Sequence, residues 1–181
     1  MSRYRRSQTP GATYFFTVVT YRRQAILCDA PIREALRDAI AAVRAKRPFT
    51  IDAWVLLPDH LHAIWTLPPS DADFATRWAV IKRRVSVACA NEYRRADWIN
   101  SSKQKHREST LWQRGYWEHQ IRDENDFIRH MDYMHFNPVK HGHCKQVSEW
   151  PYSTFHRYVE QGVYPLYWGS GNVDDNLVAG E

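Results

Sequence analysis

The stretch Phe49-Thr50-Ile51-Asp52-Ala53-Trp54-Val55-Leu56-Leu57-Pro58-Asp59-His60-Leu61-His62-Ala63-Ile64-Trp65-Thr66-Leu67 decides the fold. It reads as two strands, Phe49 to Leu57 and Leu61 to Leu67, joined through the short polar break Pro58-Asp59 as a hairpin. Alternation sends His60, His62 and Ile64 to one face and Leu61, Ala63 and Trp65 to the other. Two imidazoles therefore project side by side while apolar neighbours anchor the strand.

Working outward, Thr13 to Thr20 (TYFFTVVT) is aromatic and β-branched and predicts a strand. From Pro31 to Lys46, Ile32, Leu36, Ala39, Ile40 and Val43 recur at helical spacing, and Pro48 closes the helix. Phe74 to Arg95 predicts a second helix with Phe74, Trp78, Ile81, Val85 and Ala88 on one face. Asp97 to Thr110 has no strong period and reads as a mobile loop. Tyr116 to Arg122 reads as a fourth strand. Asp123 to Phe136 follows as a third helix, with Asp123 as N-cap and Pro138 as its stop. Ser153 to Gln161 is a short terminal helix. The order strand, helix, strand, strand, helix, strand is the ferredoxin-like βαββαβ pattern. The expected class is α+β: a four-stranded antiparallel sheet with helices on one face, a further helix carrying chemistry, and a C-terminal extension. Residues 1–168 form one domain, and 169–181 are an acidic, flexible tail.

The length of 181 residues suits one core, and no apolar run approaches the roughly 18 residues of a membrane span. With no signal-peptide pattern, the reading is cytoplasmic. Cys28, Cys89 and Cys144 are odd in number and widely spaced, against both a disulfide framework and a multi-cysteine zinc knot. Net charge is +5, and the basic residues concentrate early: residues 1–50 hold ten Lys or Arg against three acids. A polyanionic partner follows.

His-x-His alone is a weak signal, since histidine is also an ordinary polar residue. A second group is Asp132-Tyr133-Met134-His135-Phe136-Asn137-Pro138, where Tyr133 and Asn137 stand at i and i+4 on one helix face. Such a helix laid across the His-x-His strand brings a nucleophile and an oxygen ligand to the imidazoles; a packing tyrosine and a capping asparagine are the plainer alternative. His141-Gly142-His143-Cys144 has zinc-ligand types but no second partner pair, so it is read as a decoy. The mixed aromatic and cationic residues Tyr4, Arg5, Arg6, Arg22 and Arg23, with Lys82, Arg83 and Arg84, suit single-stranded DNA, although helix-borne cations can also be a solvated face.

Taken together, the His-hydrophobic-His strand and the helix-borne tyrosine resemble the HUH endonucleases, and among them the single-tyrosine, IS200-like transposases. Trp54 through His62, Trp112-Gln113-Arg114-Gly115-Tyr116-Trp117-Glu118-His119, Tyr133 through Gly142 and Trp150-Pro151-Tyr152-Ser153-Thr154-Phe155-His156 resemble the REP-associated tyrosine transposases of bacteria. The resemblance runs from Tyr4 to Trp168. It implies metal ligation by His60 and His62, Tyr133 as nucleophile, and Asn137 as third ligand with Glu118 and His119 in reserve. Mg or Mn is the implied ion, and REP hairpins in single-stranded DNA are the implied partner, cut and rejoined through a 5′-phosphotyrosine. The oligomeric state stays open between monomer and homodimer. The rival reading is a non-catalytic, single-stranded nucleic-acid-binding module, which calls for exposed aromatics on the sheet rather than paired histidines. A phosphoesterase needs two His-x-Thr/Ser motifs, and only one strand-borne His pair is present.

Overall fold

A computed structural model describes residues 9–170. Tyr4, Arg5 and Arg6, and the tail beyond residue 170, lie outside the described residues. Four strands, β1 (Thr13–Val19), β2 (Thr50–Leu56), β3 (His60–Thr66) and β4 (Trp117–Gln120), form an antiparallel sheet in the order β2-β3-β1-β4. This is the expected ferredoxin-like arrangement. The hairpin closes where Leu57 N donates to His60 O at 2.9 Å.

Alternation divides the sheet into two working faces. Tyr14, Phe16, Val18, Leu61, Ala63 and Trp65 are buried against α1 (Ala30–Lys46) and α2 (Phe74–Ala88). On the reverse face, Phe15, Ala53, Val55 and Ile64 pack with Met131 and Met134, and with Val147, Phe155 and Tyr164 from the C-terminal segments. The two methionines belong to the helix α5 (Glu124–Lys140), which thus crosses the sheet on the side opposite α1 and α2. No helix among the described residues is long and apolar enough to cross a membrane.

Three local expectations are corrected. The second helix stops at Ala88, and a separate turn α3 (Ala90–Tyr93) follows after Cys89, whose backbone (φ −102°, ψ 13°) leaves the helical conformation while its side chain stays in the core. The stretch expected to be a mobile loop contains a 3-10 turn (Ala96–Trp98) and the helix α4 (Ser101–His106). Asn100 caps α4 by accepting from Lys103 N, and Lys103 is only 5% exposed, donating to Ser109 O at 3.0 Å and lying 3.7 Å over the Tyr21 ring. Pro138 does not stop α5, which runs on to Lys140. In the last turn a proline removes a single ladder bond, and His141 N still donates to Asn137 O at 3.0 Å. The end comes at Gly142, whose φ of +72° supplies the left-handed residue of a C-terminal turn. Asp123 is the N-cap as expected, accepting from Asp126 N at 2.8 Å, and α6 (Phe155–Glu160) is the short terminal helix.

Candidate active site

β3 carries His60 and His62 on the face that α5 covers, and both are nearly sealed from solvent, at 4% and 2% exposure. Each ring is held by Nδ1. His60 Nδ1 is 2.6 Å from Asp59 Oδ1, whose other oxygen accepts from Arg23 Nη1 at 3.1 Å. The hydrogen bond from His60 pulls the Asp59 carboxyl down to about 2, with Arg23 assisting against burial. His62 Nδ1 is 2.9 Å from Thr17 Oγ1, its directly opposed residue on β1. Burial, then the neighbouring His60, His141 and Lys140, hold His62 neutral against an opposing pull from the Asn137 amide.

Holding both rings by Nδ1 leaves both Nε2 atoms turned toward α5. Asn137, fully buried, places Oδ1 3.1 Å from His60 Nε2. In the tautomer whose Nδ1–H donates to Asp59, His60 Nε2 presents a lone pair beside the Asn137 carbonyl oxygen, a pair of donors suited to a cation. His62 Nε2 and Asn137 Nδ2 are buried without a hydrogen-bond partner. An empty lone pair at His62 Nε2 costs about 1–3 kcal/mol, and with Asn137 Nδ2 able only to donate, the amide's ligating atom is Oδ1; His60, His62 and Asn137 thus fit a divalent ion.

Tyr133 stands one turn before Asn137 on α5, its ring 5.4 Å from that of His62. Lys140 places its ammonium 5.3 Å from the Tyr133 ring. Phe15, Thr17, Val19, Arg23, His60, His62, Trp117 and Tyr133 line a cavity of about 460 Å³. The described structure therefore brings together His60, His62, Asn137, Tyr133 and Arg23, whose side chains come from β3, α5 and the turn after β1.

The remaining predicted residues lie elsewhere. Arg22 packs its guanidinium over Trp98, and both Arg22 and Arg23 adopt positive φ, 57° and 51°, an uncommon backbone for residues with a Cβ. Lys82 donates to the carbonyls of Gln113, Arg114 and Gly115, so its ammonium braces a loop, while Arg83 and Arg84 are exposed. Lys82 and Arg83 edge a wider groove of about 1130 Å³, with Arg94, Arg107 and Arg114. That groove is larger than the cavity at His60, but it belongs to the α2 side and holds none of His60, His62, Tyr133 and Asn137.

Of the reserve ligands, Glu118 pairs with Phe16 across the strands and so lies on the α1/α2 face, away from the histidines. His119 is on the correct face but is committed to Asp126, 2.8 Å away. With His130 these two form the one His/Asp group among the described residues whose ligand atoms all lie within 4.8 Å of one another. The decoy motif diverges: the His141 ring is 5.2 Å from that of His60, whereas the His143 ring lies 5.4 Å from that of Trp150, tilted by 30°. His135 is structural, bonding Thr154 Oγ1 at 3.0 Å, with burial driving it down to about 3. Sequence reading missed Thr17, Asp59, Trp117 and Lys140 at the site. Asp59, beside His60, was the one local signal; Thr17 and Trp117 enter only through strand register, and Lys140 through the persistence of α5 past Pro138.

Residues 9–135 match the family model described as transposase IS200-like, a span that includes both histidines and Tyr133. A REP-associated tyrosine transposase of Escherichia coli strain K12 is 45% identical over 181 residues, covering 100% of this chain and 98% of its own. A candidate REP-associated tyrosine transposase of Haemophilus influenzae is 43% identical over 174 residues, 96% of each chain. A solved structure of a REP-associated tyrosine transposase bound to a REP hairpin superposes with a TM-score of 0.79 at 44% identity, covering 96% of this chain and 94% of that one.

Proposed function

The chain belongs to the IS200-like transposase family, among the REP-associated tyrosine transposases, and from that premise we propose that it cuts and rejoins single-stranded DNA beside a REP hairpin, in the cytoplasm at the nucleoid. One observation carries the reading: His60 Nε2, His62 Nε2 and Asn137 Oδ1 converge beneath a cavity that Tyr133 also lines. His60, His62 and Asn137 hold the divalent ion, Mg or Mn by the mixed nitrogen and hard-oxygen donor set. When bound, that ion supplies Lewis acidity to the phosphate.

Tyr133 Oη attacks the phosphorus. The Oη–P bond forms as the bond from phosphorus to the departing 3′ oxygen breaks. The tyrosyl proton is released and the leaving oxygen takes one up as a 3′ hydroxyl. Ionising a tyrosine of ordinary pKa at pH 7 costs about 4 kcal/mol, and the Lys140 ammonium near the ring lowers that cost. The phosphodiester energy stays in the phosphotyrosine, so a second 3′ hydroxyl reverses the step and joins without ATP. Arg23, lining the cavity, neutralises phosphate charge at the mouth; Arg22, Arg83 and Arg84, together with Tyr4, Arg5 and Arg6, extend the DNA surface, and Lys82 contributes through the loop it braces.

The test is a denaturing gel of the full chain with a labelled REP-type hairpin bearing single-stranded flanks, with Mg, with Mn and with a chelator. A covalent adduct that needs the metal supports the reading. Tight hairpin binding without any adduct makes the protein the non-catalytic module instead.

A further inference from the structure

Trp117 is an indole left 48% exposed at the wall of the cavity that holds Tyr133, His60 and His62. Strand register puts it in one row with the site: His62 on β3 faces Thr17 on β1, and Thr17 faces Trp117 on β4. Two strand spacings of about 4.8 Å set Trp117 about 10 Å from His62, backbone to backbone. A base lying on that indole belongs to a nucleotide beside any phosphate held at the histidines.

The indole is braced from behind. Its plane lies 7° from that of His119, at 5.9 Å between centroids, and His119 stacks at 17° and 4.5 Å on His130 of α5. The Phe15 ring meets the indole edge-on at 71°. Asp126 ties both imidazoles: His119 Nε2 lies 2.8 Å from Oδ2 and His130 Nδ1 lies 3.3 Å from Oδ1. The same carboxylate accepts from Arg122 N at 3.0 Å and Arg122 Nε at 3.2 Å, and His130 Nδ1 donates to Asp126 O at 2.8 Å. The His119, Asp126 and His130 group is thus hydrogen-bonded to itself and to Arg122, unlike the orphaned nitrogens at His62 and Asn137. Its chemistry is that of a rigid scaffold, not of a second ion site.

We infer that Trp117 is the stacking platform for the base next to the scissile phosphate, and that His119, Asp126 and His130 hold its plane in place; this rests on the single-stranded DNA reading above. Base–aromatic stacking tolerates any base, so the platform sets position rather than sequence.

The experiment is equilibrium binding of the full chain to the flanked hairpin by fluorescence anisotropy. Wild type and Trp117→Ala are each measured with an intact and an abasic nucleotide at the flanking position. Trp117→Ala should weaken binding roughly 10- to 100-fold, and Trp117→Tyr should recover most of it. The abasic substitution should weaken wild type by a similar factor and Trp117→Ala no further. Equal abasic penalties in the two backgrounds overturn the platform. His119→Ala should weaken binding less than Trp117→Ala and leave the manganese stoichiometry, by calorimetry, at the wild-type value; loss of one equivalent makes the cluster an ion site and overturns the brace. Wild type that binds but forms no adduct sinks the nuclease reading while the binding cycle still decides the platform. Wild type that does not bind overturns both.

Discussion

The two faces of one sheet differ in what they leave unsatisfied. On the α1/α2 side, Trp65 and Trp78 stack at 4.1 Å and 16° with their indole nitrogens buried and without a partner, and a fully enclosed charge there is Arg77. Its guanidinium is met by both Asp71 oxygens and by the carbonyls of Arg47, Pro48 and Asp73. On the α5 side, His62 Nε2, His135 Nδ1 and Asn137 Nδ2 are buried without a hydrogen-bond partner, while His60 Nε2 faces Asn137 Oδ1. An indole N–H can only donate and offers nothing to a cation, whereas an imidazole nitrogen carries a lone pair that a cation can take. The lesson is that the faces differ in which unpaired groups can ligate, not in whether any are left unpaired.

The sharpest way to break this contrast is Tyr133→Phe, which removes one oxygen from the α5 face. Adduct formation should fall by more than about 10³-fold, while Tm changes by no more than a hydrogen bond worth about 1 kcal/mol allows. An adduct that persists, or one mapped by mass spectrometry to another tyrosine, moves the nucleophile elsewhere.

Next in size, His60→Ala and His62→Ala should each cut cleavage at least about 100-fold and abolish the rise in Tm that Mn produces in wild type. Hairpin affinity should stay within a few-fold, because phosphate contacts and stacking carry it. A metal-induced shift that survives in both variants places the ion at some other site.

The α1/α2 face should respond the other way. Trp78→Ala should cost about 3–5 kcal/mol in chemical denaturation, with loss of activity only as far as the fold is lost. A variant that kept its stability yet lost cleavage would show that the α1/α2 face also takes part in chemistry.

A subtler probe is acid. The Arg77 guanidinium holds Asp71 below the usual carboxylate range. Asp71 is thus depressed in the folded state, so its contribution is complete above the unfolded value of about 4 and is lost as pH falls below it. Asp71→Asn should flatten the stability profile in that acid range alone; an unchanged profile removes the pair from the α1/α2 face's supports. Smallest of all, Arg5→Ala with Arg6→Ala should lower the salt slope of hairpin binding by about 1.4, at about 0.7 per single-strand phosphate contact. An unaltered slope excludes the N-terminus from the DNA surface.

Period-based features were legible in the sequence. The two-residue period of Tyr14 to Val18 and of His60 to Trp65 set the strands and their division into faces, and the four-residue spacing of Tyr133 and Asn137 put them on one helix face. Order in residues 97–110 was not legible. There the chain is held by Lys103, whose partners include the ring of Tyr21, far away in sequence, and whose own neighbourhood has no apolar stripe. Likewise Lys82 reads as a free cation until the 113–115 loop folds over it.

Local geometry, then, is the sequence's own determination: strands, helices, the His pair, and the tyrosine one turn from its asparagine, because backbone periodicity depends only on neighbours. Tertiary structure alone decided which atoms meet. His60 and Asn137 stand 77 residues apart and come within 3.1 Å only because α5 crosses the sheet on the histidine face. Register alone aligned His62, Thr17 and Trp117 in a row and left Glu118 on the opposite face, and the packing of α5 on the sheet stacked His119 on His130. Those pairings come from the packing of the whole core, a cooperative outcome that no single segment encodes.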